Sequence, residues 1–266
     1  MKTILFSDVH LTAASEAGRK RMAVLVTFLR DIDPATCNRL VILGDLFDFW
    51  FEYKHVIFDM YFDVLRALAD LRDAGVEIHF MCGNHDFWAG RFLRDQLSFQ
   101  ITSEPVTLPF GDKRVLCVHG DGINPKDVGY RIYKRIARFP LVVWAFRLIH
   151  PDWAMALGNA VSGGSRQFLQ VKDTSIGPEA KALRAYGQER LARGDADVVI
   201  CGHAHSPVME EYPTPTGTGI YINSGDWLIH QSYLEWDETN GFRLLEYVVP
   251  GKQDAGSHAK HEAQQV

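Results

Sequence analysis

Histidine and aspartate recur along this 266-residue chain in five short clusters, each following an apolar run. Ile4-Leu5-Phe6 leads to Asp8-Val9-His10, and Val41-Ile42-Leu43 leads to Gly44-Asp45-Leu46-Phe47-Asp48. The run from Ile78 to Met81 precedes Gly83-Asn84-His85-Asp86, Val115 to Val118 precedes His119-Gly120-Asp121, and Val198 to Cys201 precedes Gly202-His203-Ala204-His205. A lone histidine after a strand is ordinarily a hydrogen-bonded structural residue, and Gly-Asp or Gly-Asn is a common turn. Five such clusters in succession predict a metal site. Four imidazoles with two aspartates and one asparagine are too rich in nitrogen for Mg²⁺ or Ca²⁺ and suit Mn²⁺, Fe or Zn²⁺. The set also exceeds what one tetrahedral ion can use. Two ions sharing a bridging carboxylate, roughly 3.5–4 Å apart, would use it all. A pair of that kind activates water, holds a phosphoryl oxygen and offsets charge in an in-line displacement, so the chemistry indicated is hydrolysis at phosphorus.

The elements that must carry these clusters are legible as well. Short runs of branched apolar residues closed by turn signals read as strands buried on both faces. Between the early ones, Leu25, Phe28, Leu29 and Ile32 recur at helical spacing, and so do Ile57, Met60, Tyr61, Val64, Leu65 and Leu68. Strand and helix alternate as in an α/β sheet, where ligands bind beyond the carboxyl ends of the strands. The five clusters are therefore expected to meet at one sheet edge, with the glycines before Asp45, Asn84 and His203 allowing the tight turns required. Strand-like runs at Val208 to Tyr212, Gly219 to Asn223, Ser232 to Trp236 and Phe242 to Val248 predict an antiparallel second sheet. The expected fold is an α/β two-sheet sandwich flanked by helices. A single domain would span residues 1–249, and the polar tail 250–266, with His258 and His261 solvated, is expected to be disordered.

Composition narrows the class. Apolar residues make up 47% and charged residues 23%, a globular balance, and the net charge of −5 argues against nucleic acid as a partner. No apolar window is long enough to span a membrane, and Asp8 and His10 interrupt any signal-peptide pattern, which predicts a cytoplasmic protein. Cys37, Cys82, Cys117 and Cys201 lack zinc or redox spacing and read as small buried side chains.

Residues 126–150 stand apart. Lys126, Arg131, Lys134, Arg135, Arg138 and Arg147 face only Asp127, interleaved with Ile132, Ile136, Phe139, Leu141, Val142, Trp144 and Phe146. The pattern fits two helices broken near Pro140 and Pro151. It serves equally an amphipathic pair packed on the core or a lid offering apolar surface and positive charge to an anionic, lipid-bearing ligand.

In this order, D-x-H, G-D-x-x-D, G-N-H-D, the lone histidine and G-H-x-H resemble the calcineurin-like metallophosphoesterase superfamily over roughly residues 4 to 227. The resemblance implies an αββα sandwich around a dinuclear centre. It implies Asp8, His10 and His205 on one ion, Asn84, His119 and His203 on the other, and Asp45 between them, with Mn²⁺ the expected metal. His85 would stand by the leaving group as proton donor or charge stabiliser, with Asp48 and Asp86 orienting it and the nearby loops.

A narrower resemblance rests on GDLFDFW, GNHDFW, the stretch from His119 to Tyr130 and the HPD of His150 to Asp152. It is to the UDP-2,3-diacylglucosamine diphosphatases of lipid A biosynthesis, in the branch with G-N-H-D where the best-known members have G-N-R-D. It implies a lipid-linked nucleotide sugar as substrate, a lid insertion at about 126–170, and peripheral attachment to the inner membrane without an obligate protein partner. Asn84, Asp127, Ser162, Ser165 and Arg166 would grip the substrate. Two competing readings are a soluble phosphoesterase acting on a small nucleotide or phosphodiester and a non-catalytic scaffold of the same fold.

Overall fold

A computed structural model describes residues 1–158, 177–250 and 264–265. Each of the five apolar runs forms a strand. The first sheet has the order β12-β11-β10-β1-β2-β3-β4. It contains β1 (Lys2–Phe6), β2 (Cys37–Ile42), β3 (Glu77–Met81), β4 (Gln100–Thr102), β10 (Ser232–Asp237), β11 (Gly241–Glu246) and β12 (Gln264–Gln265). The second sheet has the order β5-β6-β7-β9-β8. It is built from β5 (Val106–Phe110), β6 (Lys113–Val118), β7 (Val198–Cys201), β8 (Val208–Thr214) and β9 (Gly217–Asn223).

The alternation of side chains along β1 explains the layering. Leu5 points into a core shared with Val41, Met81, Val115, Cys117, Val198, Ile200, Ile222 and Leu234, which lies between the sheets. Its neighbours Ile4 and Phe6 point the other way, onto α1 (Glu16–Asp31) and α2 (Phe62–Asp73) through Leu25, Phe28, Leu29, Val64 and Leu68. On the far side, Val199 and Cys201 meet Leu183 and Leu191 of α7 (Pro178–Ala192). Helix, sheet, sheet and helix thus stack in four layers, as the αββα expectation has it. All four cysteines are free and buried.

Two expectations about the sheets are corrected. The four C-terminal strands do not make one antiparallel sheet. β8 pairs antiparallel with β9, which runs parallel beside β7, whereas β10 and β11 extend the first sheet from β1. Nor do the five clusters share one sheet edge: β1, β2 and β3 belong to one sheet, β6 and β7 to the other. Long-range pairing decides both points, and local pattern does not encode it. Helix α2 also begins later than its apolar spacing suggests, because Ile57 and Phe58 precede a 3₁₀ turn at Asp59–Tyr61 and Phe58 is extended. In the tail, Gln264 and Gln265 pair with Leu244 and Arg243, where the sequence reads as unstructured; residues 251–263, with His258 and His261, lie outside the described residues.

Between Asp121 and residue 158 the chain leaves the sandwich. α3 (Arg91–Asp95) belongs to the first half of the fold. Next come α4 (Val128–Ala137), α5 (Pro140–Phe146) and helical residues 151–158, here α6. Asp127 caps α4 by accepting from the Tyr130 amide at 3.0 Å, and Pro140 opens α5 at the position where a missing N–H costs nothing. Among the described residues no helix is long and apolar enough to cross a membrane.

Candidate metal centre

The loops after β1, β2, β3, β6 and β7 converge because the sheet ladders continue past the strands. Asp8 N donates to Gly44 O at 3.1 Å, His10 N to Asp45 O at 2.9 Å, and Leu11 N to Leu46 O at 3.0 Å. The second sheet contributes Gly202 N donating to His119 O at 3.0 Å, and Trp227 N reaches across to Asp8 O at 3.1 Å. Sharp reversals then turn the side chains inward. Asp8, His10, Asp45, His203 and His205 all have φ between 48° and 64°, and only Ser98 and Gln231 share that conformation among the described non-glycine residues. Left-handed backbone costs an L-residue about 1 kcal/mol or more, and it persists where the surroundings enforce it.

Only one of the three glycines has the function expected of all of them. Gly44, at φ +95°, takes a conformation that disfavours a side chain. Gly83 and Gly202 do not; they provide space. A Cβ on Gly83 would stand 2.1 Å from Asp45 Oδ1, and one on Gly202 would stand 2.7 Å from Asp8 Oδ2. Glycine there lets carboxylates lie against backbone.

Three clusters of donor atoms result, each with its atoms within 4.8 Å of one another: Asp8, His10 and His205; Asp45, His119 and His203; and His10, Asp45 and His85. Asp45 Oδ2 lies 3.8 Å from His10 Nε2 and 3.4 Å from His119 Nε2, so this carboxylate stands between the first two clusters. Asn84 Oδ1 is 3.1 Å from His119 Nε2. All seven side chains proposed as ligands are thereby brought together from loops up to 197 positions apart in sequence.

The hydrogen bonding fits a cation-binding site. Each carboxylate has one oxygen tied to backbone and the other directed into the cluster. Asp45 Oδ1 accepts the His85 amide at 2.8 Å, which leaves Oδ2 to the imidazoles. Asp8 Oδ2 accepts from the His203 amide at 2.8 Å and from Ser7 Oγ, whereas the buried Oδ1 has no hydrogen-bond partner among the described residues and lies 3.3 Å from His205 Nε2. The Leu43 carbonyl, 2.8 Å from His119 Nδ1, can only accept, so Nδ1 carries a proton and Nε2 is the nitrogen turned toward Asp45 and Asn84, where a cation could replace its proton. His10 Nε2 and His205 Nε2 face each other at 3.2 Å, a contact a shared cation would bridge.

Electrostatics agree. Burial, together with neighbouring His119, lowers the His203 pKa to about 4, and burial and His85 hold His10 well below the usual histidine range. Both rings are neutral near pH 7, the form that coordinates metal. For His119, burial opposes protonation, but Asp45, by charge and hydrogen bond, outweighs it and lifts the pKa to about 10. Asp45 remains ionised despite complete burial because His119 and His85 surround it. Negative charge that draws a proton onto a buried imidazole marks a place suited to a metal ion.

His85 Nδ1 is 2.9 Å from the Asp48 carbonyl and 3.8 Å from Asp48 Oδ1. The carbonyl can only accept, so Nδ1 is the nitrogen that carries a proton here. Asp86 is wholly buried and accepts from Gly83 N at 2.7 Å, Leu46 N at 2.8 Å and Asp45 N at 3.3 Å, which binds the second cluster to the third. Burial and the adjacent Asp45 push its pKa up to about 7. Asp127 is exposed at the cap of α4, and Ser162, Ser165 and Arg166 lie outside the described residues.

Beside the cluster is a cavity of about 380 Å³. Asp48, Asn84 and His85 line it, together with Phe49, Trp88, Tyr133, Ile136, Phe146 and Leu157. The helical insertion supplies much of that lining. It is anchored by Trp88 Nε1 donating to Ala137 O at 3.2 Å, Tyr53 Oη donating to Ile149 O at 3.0 Å, and Phe146 packing on Phe51 and Trp88 at 4.7 and 4.9 Å between ring centroids. Sequence reasoning assigned no role to Tyr53, Trp88, Asp121 or Tyr130. Tyr130 and Lys134, one helical turn apart behind an acidic residue, are the signal that would have drawn attention to Asp121.

Residues 1–207 match the family described as calcineurin-like phosphoesterase. The chain is 29% identical over 255 residues to the UDP-2,3-diacylglucosamine hydrolase of Porphyromonas gingivalis, covering 90% of this chain and 95% of that protein. The protein of that name from Aeromonas salmonicida is 29% identical over 266 residues, covering 97% and 98% respectively. That from Pseudomonas putida is 28% identical over 251 residues, covering 92% and 98%.

Proposed function

The chain belongs to the calcineurin-like phosphoesterase family, and we propose that it hydrolyses the pyrophosphate of UDP-2,3-diacylglucosamine, releasing UMP and 2,3-diacylglucosamine 1-phosphate in lipid A biosynthesis. The names of its relatives suggest the substrate. The observation that carries the reading is the cavity: Asn84 and His85 line it together with aromatic and aliphatic side chains. A nucleotide sugar bearing acyl chains requires both kinds in one site, whereas a small phosphodiester has no use for the apolar lining.

In this reading Asp8, His10 and His205 would hold one divalent ion, Asn84, His119 and His203 would hold a second, and Asp45 would serve both. Mn²⁺ suits the mixed nitrogen and oxygen donors. When bound, the ions supply Lewis-acid activation of water and neutralisation of phosphoryl charge. Asp45 stays ionised, and Asp8 and Asp45 are positioned by the His203 and His85 amides, so the donor set is preorganised. Asp48 orients His85 so that Nε2 faces the reacting group, where it donates a proton to the leaving phosphate or stabilises its charge. Phe49, Trp88, Tyr133, Ile136 and Phe146 exclude water from the acyl chains, each buried CH₂ contributing about 0.8 kcal/mol. Asn84, Asp127, Ser162, Ser165 and Arg166 are our candidates for contacts to the nucleotide and sugar.

Residues 1–249 would form one domain with α4 to α6 as the start of a lid reaching about residue 170. The exposed side chains Ile132, Phe139, Leu141, Trp144, Leu148 and Trp153, interspersed with Arg131, Arg135 and Arg147, suit the cytoplasmic face of the inner membrane as a peripheral docking surface. The test is an assay of the purified protein with Mn²⁺ against UDP-2,3-diacylglucosamine and its deacylated counterpart. Release of UMP from the acylated compound alone is expected. Equal turnover of both would overturn the substrate assignment in favour of a phosphoesterase for small nucleotides.

A further inference from the structure

Asp121 follows His119 by two residues but faces the helical insertion instead of the metal cluster. Its side chain is 6% exposed, and its Oδ2 is 2.6 Å from both the Tyr130 hydroxyl and Lys134 Nζ, which donate to it. Lys134 Nζ also donates to the Asp121 carbonyl at 3.2 Å. Tyr130 and Lys134 lie one turn apart on α4, so one carboxylate grips one face of the helix in two places. Gly122, at φ +76°, brings the loop against the Tyr130 ring: a Cβ there would be 3.6 Å from Tyr130 Cε1. On the other side of Asp121, Gly120 reverses the chain at φ +121°. Tyr130 and Tyr133 line the cavity together with Asn84 and His85.

We propose that Asp121 is a positioning residue that locks α4 to the His119 loop, holding the apolar wall of the cavity at a set distance from the metal cluster. The clamp is well suited to this. It joins the insertion to a loop fixed by the Gly202–His119 and His119–Leu43 hydrogen bonds, so the helix inherits the rigidity of the sheets. A charge-assisted bond to a largely buried carboxylate is among the stronger polar contacts, and two on one oxygen resist rotation of α4 about its axis. Release of the clamp would let α4 shift while the ligand loops keep their own hydrogen bonds. The proposal rests on the functional reading above, since it is the acyl chains that use the wall.

The test compares wild type, Lys134→Met, Lys134→Arg and Asp121→Asn as full-length, Mn²⁺-loaded proteins. The substrates are UDP-2,3-diacylglucosamine and bis(p-nitrophenyl) phosphate. For Lys134→Met, KM for the acylated substrate should rise about tenfold with kcat nearly unchanged, the size expected for loss of a hydrogen bond to a charged group. Its diester hydrolysis should stay within about twofold of wild type, and Lys134→Arg should restore KM. Asp121→Asn should accelerate amide hydrogen exchange over residues 128–137 while β6 remains protected and bound metal stays at the wild-type content. Proportional loss with both substrates, unchanged KM in Lys134→Met, or unchanged exchange in Asp121→Asn would each overturn the clamp. Failure of wild type to turn over the acylated substrate would instead overturn the functional reading, and the exchange measurement would still decide the clamp.

Discussion

The metal cluster and the helical insertion use the same chain in opposite ways. In the cluster, Asp8, His10, Asp45 and His119 are buried, backbone is held in the left-handed region at five positions, and Asp8 and Asp45 each have one oxygen bound by an amide. In the insertion, Trp144 is 57% and Trp153 72% exposed, and attachment to the sandwich depends on a few contacts at Trp88, Tyr53, Phe146 and Asp121. Burial of charge demands exact partners, because an unpaired carboxylate inside protein costs several kcal/mol, and the fold must strain backbone to supply them. Exposed apolar surface makes no such demand. It needs only something apolar to cover it. The candidate chemistry thus sits in loops held between two sheets, and the proposed selectivity in an element attached to them at a few points.

Removal of the shared carboxylate should have the largest effect. Asp45→Ala should lose bound metal and at least about 10³-fold in activity together, as chelation of the wild type should, since both abolish the charge stabilisation an ion pair supplies. Metal analysis showing two retained equivalents would remove Asp45 from the centre of the cluster. His85→Ala should separate chemistry from metal retention, keeping its metal and losing about 10²–10⁴-fold in rate. Near wild-type turnover would show that the proton comes from elsewhere.

Gly83→Ala tests whether the rigid side of the comparison really has no slack. The new methyl would meet Asp45 Oδ1, which is pinned by the His85 amide, so metal affinity or activity should fall about 10–100-fold by titration or assay. A neutral outcome would mean that the ligand loops yield as readily as the insertion. The smallest effect is expected on the other side. Replacing Trp144 and Trp153 with Ser should shift stability by less than about 0.5 kcal/mol each in denaturant unfolding, as for exposed sites generally. Binding to anionic vesicles should nevertheless fall, and for wild type it should weaken with salt. Marked destabilisation would identify these residues as core packing and erase the contrast.

The local pattern of this chain determined its strands and its donor set. Val41 to Leu43 or Val198 to Cys201 can only be buried, and the polar clusters after them can only lie at strand ends, so the side chains that the structure brings together were legible without coordinates. Strand β5 was not. Pro109 breaks its pattern, and only its place at a sheet edge, where a missing N–H is tolerated, admits it. The division of five clusters between two sheets, the pairing of β9 with β7 and of β10 with β1, the space reserved at Gly83 and Gly202, and the grip of Asp121 on α4 were decided by tertiary structure alone. The physical reason is one of range. Apolar periodicity and turn residues act over a few positions, whereas a ladder between residues 3 and 236, or a carboxylate against a glycine Cα 38 positions away, has no energy until the whole chain has closed on itself.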